Sequence, residues 1–260
     1  MPFDLLPTDL NQLQAFLLVF VRMGSLFAFL PVFGGTAPRQ VKAALALTST
    51  AAIFPIVDTS HVTVDVDVLT MVVMIVGEAL IGVMTAFIVN LVFAGIQTAG
   101  YIIGFQIGFG IVNVVDPASG AQVSISAQFL NILAMLLFLT LNVHHALILG
   151  FVEGFKMVPL TTFAPHPSLE TFFVDAFGGM LLTAAQLSAP ITVSLLLKQA
   201  AMGILARTVP QMNIFVVGFP VTIALGLFTL AFLMEAYGAV TERLFMATLG
   251  QVGVLLSALN

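Results

Sequence analysis

His144 and His145 stand side by side in an apolar stretch, the wrong spacing for a shared metal ion. On a helix, neighbouring side chains point about 100° apart, so the two rings cannot close on one cation. The four histidines are otherwise dispersed and no HExxH pair occurs, so no zinc site of recognisable spacing is present. No Walker A sequence is present either, which removes nucleotide binding by a P-loop. There is no Gly-x-Ser nucleophile turn and no pair of membrane aspartates of the kind an intramembrane protease needs. With no cysteine in the chain, disulfides, iron–sulfur clusters and thiol chemistry are excluded. The histidines read as hydrogen-bonded or interfacial groups near a helix end. No catalytic residue, metal or cofactor is expected.

Two charges remain that could do physical work. Arg22 and Glu78 lie near the centres of separate apolar segments, where each would be costly against lipid. Either they form an ion relay, or they pair with each other or across a subunit interface; pairing is the expectation. A proton-coupled transporter would want more than one such carboxylate, and Glu235 lies too close to a segment end to count. The 12 methionines read as flexible packing.

The elements that must carry these groups are set by composition. The 260 residues are 60% apolar and 7% charged, with a mean hydropathy of +1.16. Soluble domains carry about 25% charged residues, so the exterior must meet lipid, other hydrophobic subunits, or both. The 7 basic residues are scattered, which argues against nucleic acid, and the net charge of −5 is too thinly spread for an acidic tail. Asp4 and Asp9 stand where a signal peptide would carry Lys or Arg, so the first apolar segment is expected to be retained. Phe is abundant at 24, Tyr occurs twice and Trp is absent, so the usual interfacial aromatic belt is nearly missing.

A membrane span needs roughly 20 apolar residues. Six stretches qualify or nearly so: Leu13–Pro31, Ala43–Val57, Val68–Gly95, Ala127–Gly150, Ala176–Leu197 and Ile214–Met234. Pro190 and Pro220 are expected to kink the last two. A more amphipathic stretch, Tyr237–Leu259, reads as a terminal helix. Arg39 and Lys42, and then Lys198 and Arg207, mark two basic loops. The positive-inside bias places those loops in the cytoplasm and the N-terminus outside.

The stretch from Gly95 to Ser126 fits neither a span nor an ordinary loop. Gly100, Gly104 and Gly108 recur every fourth residue, which exposes bare backbone on one helix face for a second helix to approach. Gly108 and Gly110 flank Phe109, and Asp116–Pro117 with Gly120 marks a turn. Between them runs Ile111, Val112, Val114 and Val115. Irregular apolar backbone cannot face lipid, because each unpaired peptide group costs several kcal/mol there. It must be wrapped by protein or line a cavity.

Three stretches resemble the FliR/SpaR/YscT family of type III export-gate proteins. Ala94–Gly120 carries the pattern AGxxxGxQxGFxxxxxVDPxSG, and Ala134–His144 reads AMLLFLTLNVH where the family commonly has Asn-Gly-His. Leu195–Gly226 holds an Arg-x-x-Pro-Gln-x-x-x-Phe core at Arg207, Pro210, Gln211 and Phe215. Arg22, Pro31, Phe33 and the Pro38–Arg39 loop extend the likeness to the N-terminal part. Val143 in place of the usual Gly, and the charge of Lys198, depart from the pattern.

The resemblance implies an all-α membrane protein of kinked helical hairpins. A FliP-like part over residues 1–175 would join a FliQ-like hairpin and terminal helix over 176–260, within a helical hetero-oligomer of FliP-like and FliQ-like subunits. Many apparent spans would then stand above the bilayer plane, and six simple crossings would be wrong. It further implies a core export-gate subunit in the bacterial inner membrane, within the flagellar basal body. FlhA-like and FlhB-like components, unfolded export substrates and membrane lipid would be its partners. An injectisome counterpart, or a secondary transporter of small solutes, is the alternative. Within that frame Gly104–Gly120 is expected to plug the pore. Phe105, Ile107, Phe109, Ile111, Val112, Val114 and Val115 would form the bulk, Gly104, Gly108 and Gly110 the hinges, and Asp116 and Pro117 the far anchor. Arg22, Glu78, Arg207, Pro210 and Gln211 are expected as subunit-packing or buried-charge positions.

Overall fold

The computed structural model describes residues 9–33, 37–59, 62, 67–109, 124–164 and 166–259. Among these there is no strand; eight α-helices carry the chain. They are α1 (Leu10–Phe29), α2 (Arg39–Ile53), α3 (Val68–Ile107), α4 (Ile125–Thr140), α5 (Val143–Met157), α6 (Ser168–Thr208), α7 (Ile214–Phe232) and α8 (Met234–Ser257). Short 3-10 turns follow α1 and α2 at Pro31–Phe33 and Phe54–Ile56. Helices are what such a chain must form, since a backbone in an apolar medium has to satisfy its own hydrogen bonds.

Five helices, α1, α3, α6, α7 and α8, are long and apolar enough to cross a membrane. Three sequence expectations change. First, α3 has 40 residues and α6 has 41. At about 1.5 Å per residue each reaches about 60 Å, twice the thickness of bilayer hydrocarbon. Their ends were expected near Gly95 and Leu197, where polarity rises, but intrahelical hydrogen bonding is indifferent to polarity and both run on. Second, Ala127–Gly150 is not one continuous helix, although α4 and α5 taken together are apolar and long enough to make a broken span. It breaks at Leu141–Asn142, where Asn142 takes the left-handed conformation with φ 54°; Asn tolerates that region better than most residues. Third, the terminal helix begins at Met234 and is apolar enough to cross. Pro190 and Pro220 lie inside helices that continue through them.

The chain divides into two compact units that interleave along the sequence. The first comprises residues 1–91, 142–176 and 245–260, and the second 92–141 and 177–244. This grouping differs from a cut at residue 175. In the first unit, Leu18, Val19, Met23 and Leu26 of α1 are buried, with Ile81 and Ile88 of α3 and Phe151 of α5. Phe16 and Phe54 meet edge-to-face at 5.4 Å. Asn90 Nδ2 donates to the Phe29 carbonyl at 2.7 Å, tying α3 to the end of α1. The segment after α5 is pinned to the C-terminal turn, where the Ala164 N–H donates to the Leu259 carbonyl at 3.2 Å.

Gly82 sets how closely α1 and α3 approach. A Cβ at Gly82 would lie 2.5 Å from the Arg22 carbonyl oxygen and 2.9 Å from the Leu26 nitrogen, both backbone atoms that cannot swing aside. Gly178, by contrast, has nothing within 4 Å. Replacing Gly82 by Val should therefore force the two helices apart at a cost of about 1–3 kcal/mol or more. Gly178→Ala should be neutral or slightly stabilising. Thermal melts in isolated membranes, with the chain left in its native surroundings, check both; a Gly82→Val variant as stable as the parent would refute the packing account.

Candidate functional site

In the second unit, the sequence-predicted glycine face meets the start of α4. Built on Gly100, a Cβ would stand 2.8 Å from the Ala127 nitrogen and 3.0 Å from the Ser126 carbonyl. At Gly104 it would collide with the Ser124 hydroxyl. Bare backbone is what lets α4 approach this closely. Ser124 makes the junction polar as well as tight. Its Oγ donates to the Gly100 carbonyl at 3.3 Å and accepts from the Ala127 N–H at 3.4 Å, so one hydroxyl caps α4 and binds α3.

Gly108 closes α3. Its φ of 100° lies in the region that favours glycine, and the Phe109 N–H turns back to the Gly104 carbonyl at 3.0 Å. The chain therefore leaves α3 just past the same small-residue junction to which it returns at Ser124. Gly110, Ile111, Val112, Val114, Val115, Asp116 and Pro117 lie outside the described residues. The described part of the expected plug divides sharply. Phe105 is 79% exposed, whereas Ile107 is fully buried. The Ile107 side chain fills the space over Gly226 of α7, where a Cβ would come within 2.5 Å of it. Ile107 thus packs within the fold, where α7 offers it a bare glycine, and Gly104 makes a helical close contact with Ser124.

The first unit holds the charged pair. Arg22 Nε donates to Glu78 Oε2, and both side chains are 1% exposed. Arg22 Nη1 also donates to the Val158 carbonyl at 2.8 Å, and Glu78 Oε1 accepts from the Thr161 N–H at 3.0 Å. The guanidinium carbon stands 4.4 Å over the Phe155 ring. Together α1, α3 and the turn after α5 are joined by one polar cluster, and that turn holds Thr161 at φ 70°. Arg207, Pro210 and Gln211 are not brought to this cluster. They lie exposed where α6 gives way to α7, so Arg207 is not a charge buried within the chain.

Two contacts escaped the sequence reading. Lys198 of α6 donates to Thr222 Oγ1 of α7, and Tyr237 donates its hydroxyl proton to the Leu187 carbonyl. The role of Ser124 was visible in principle, since a serine before an apolar run is a helix-start signal.

A family model for bacterial export proteins, family 1, matches residues 13–248. The flagellar biosynthetic protein FliR of Bacillus subtilis (strain 168) is 35% identical over 252 residues, covering 95% of this chain and 96% of the relative. FliR of Escherichia coli (strain K12) is 32% identical over 253 residues, covering 96% and 95%. The Yop proteins translocation protein T of Yersinia pestis is 26% identical over 227 residues, covering 84% and 85%.

Removing one partner of a buried pair leaves the other charge uncompensated, at about 3–5 kcal/mol. Arg22→Met and Glu78→Met should each be destabilised by that order. The double variant should recover part of the loss, the remainder coming from the unpaired Val158 carbonyl and Thr161 N–H at about 1–3 kcal/mol each. Melting the three variants beside the parent in isolated membranes checks this; a double variant that loses the sum of the two singles contradicts it.

Proposed function

This chain belongs to the bacterial export proteins, family 1, the FliR/SpaR/YscT family, and we propose that it is a non-enzymatic core subunit of the flagellar type III protein export gate. One observation carries the reading: the likeness to FliR proteins runs through 95% or more of the chain in unbroken order. The Yersinia translocation protein matches at the lower identity of 26%, so an injectisome counterpart is the less favoured role. In either role the chain contributes a surface and a passage, and unfolded substrate moves through it. FliP-like and FliQ-like subunits surround it, with FlhA-like and FlhB-like components as neighbours in the inner membrane.

Residues 1–175 act as the FliP-like part and 176–260 as the FliQ-like hairpin with its terminal helix. The surface of α6 and α7 supports that reading. Phe228 and Phe232 are exposed, as are Val193 and Leu196, which suits burial by neighbouring apolar helices. The length of α3 and α6 supports a body raised partly out of the bilayer, since hydrocarbon of about 30 Å cannot cover 60 Å of helix. Arg207, Pro210 and Gln211 would then face a neighbouring subunit.

The plug runs from Phe109 through Val115, with the exposed Phe105 beside it. Support comes from its two stems. Gly108 supplies the positive φ at which the chain turns out of α3, and the Gly104–Ser124 junction holds departure and return together. Asp116 and Pro117 would set the far side. Ile107 and Gly108 belong to the stem and should be left intact in any test.

Deleting residues 111–115 is expected to let cells that assemble the gate leak small solutes, scored by entry of a membrane-impermeant dye. Cells that stay tight while still secreting would sink the plug. The subunit role is checked by mass measurement of the intact membrane complex, which should contain FliP-like and FliQ-like chains. A chain that is stable, folded and monomeric by itself in detergent would be incompatible with it.

A further inference from the structure

At the end of α3, the α6–α7 hairpin borders a cavity of about 480 Å³ lined by Gln106, Lys198, Met202, Ile214, Phe215 and Phe219 among others. Small-ligand sites typically measure about 300–1,000 Å³. No Asp or Glu lines it, and its one charged group is Lys198. That side chain is half-buried, and its Nζ donates to Thr222 Oγ1. Among the described residues no carboxylate pairs with it. Gly218 leaves the room: a Cβ there would touch Met202 Cε at 3.5 Å and Lys198 Nζ at 4.0 Å. A partly desolvated ammonium whose protein partner is a neutral hydroxyl keeps an unmatched charge, and burial raises the gain from an anion.

The rim of the cavity continues into hydrocarbon-like surface. Phe215 is 89% exposed, and Leu197, Ile204 and Val216 are each about two-thirds exposed. A ligand that fits must therefore offer an anion and long apolar chains in one molecule. We propose that this cavity binds the phosphate of an anionic phospholipid, held by Lys198 Nζ, with its acyl chains along the exposed faces of α6 and α7. Basic pockets between membrane helices are suited to such headgroups. A partner helix bearing a carboxylate is the competing occupant, and the variants below separate the two. The inference depends on residence in a bilayer and is independent of the export reading.

The test is native mass spectrometry of the full membrane complex, released in mild detergent and titrated with dioleoyl phosphatidylglycerol or dioleoyl phosphatidylcholine. The parent and Lys198→Arg should retain phosphatidylglycerol in preference to phosphatidylcholine. Lys198→Gln should lower that retention about fivefold, the factor one basic side chain supplies beside an anionic headgroup. Gly218→Leu fills the cavity while keeping the ammonium and should lower it as well. If Lys198→Gln is not recovered as a folded chain, Gly218→Leu alone decides. Equal retention of the two lipids, or unchanged retention in the variants that assemble, overturns the site. Displacement of the lipid by millimolar inorganic phosphate would assign a free-phosphate pocket and also overturn it. So would loss of a partner subunit, rather than of lipid, from Lys198→Gln.

Discussion

Close approach of backbone to backbone is the constraint on which this structure depends. In a medium as apolar as the side chains themselves, burying Leu or Phe against another helix yields little that lipid would not also provide. Association must come from contact density, and contact density rises when a side chain is absent. Three glycines do this work at separate places. Gly82 admits the α1 backbone, Gly100 admits the α4 backbone, and Gly226 admits the Ile107 side chain. Each replaces a Cβ by a neighbour's heavy atoms. Many dispersion contacts of about 0.1–0.2 kcal/mol each then accumulate where solvent exclusion cannot help.

The same constraint explains what the sequence made legible. Helices and their apolar stretches were readable because a span must be long and uncharged. The fourfold spacing of Gly100, Gly104 and Gly108 was readable as a contact face, and α4 occupies it at the first two. What the sequence left short is the length of the helix: polarity rises near Gly95, and the span was ended there. In an apolar body glycine is a packing residue, and α3 carries its hydrogen bonds on to Ile107. The direction of Ile107 was equally out of reach, since it is set by Gly226, which lies far along the chain. Lys198 and Thr222 pair only because α6 and α7 meet in one particular register, and no local pattern encodes that register.

Polar groups inside the body fall into two kinds, and the contrast carries information. Arg22 and Glu78 are enclosed, mutually neutralised and further bonded to Val158 and Thr161. Such a cluster is costly to desolvate and gains little net stability. Its value is that it accepts only one arrangement of α1, α3 and the turn after α5. Lys198 is of the other kind. Its single described bond goes to a neutral hydroxyl, so its charge is left for something outside the chain to answer.

The end of α3 and the start of α4 are held rigidly against each other. Here rigidity comes from the least bulky residues available. Gly104 and Ser124 touch, Ser124 bonds back to Gly100, and Gly108 ends the helix in a conformation other residues rarely adopt. A larger residue at either contact would splay the stems by the width of a side chain. The segment between them would then have to span a wider gap with the same number of residues. The small residues Gly100, Gly104 and Ser124 therefore set how closely the chain's departure from α3 and its return at α4 can lie.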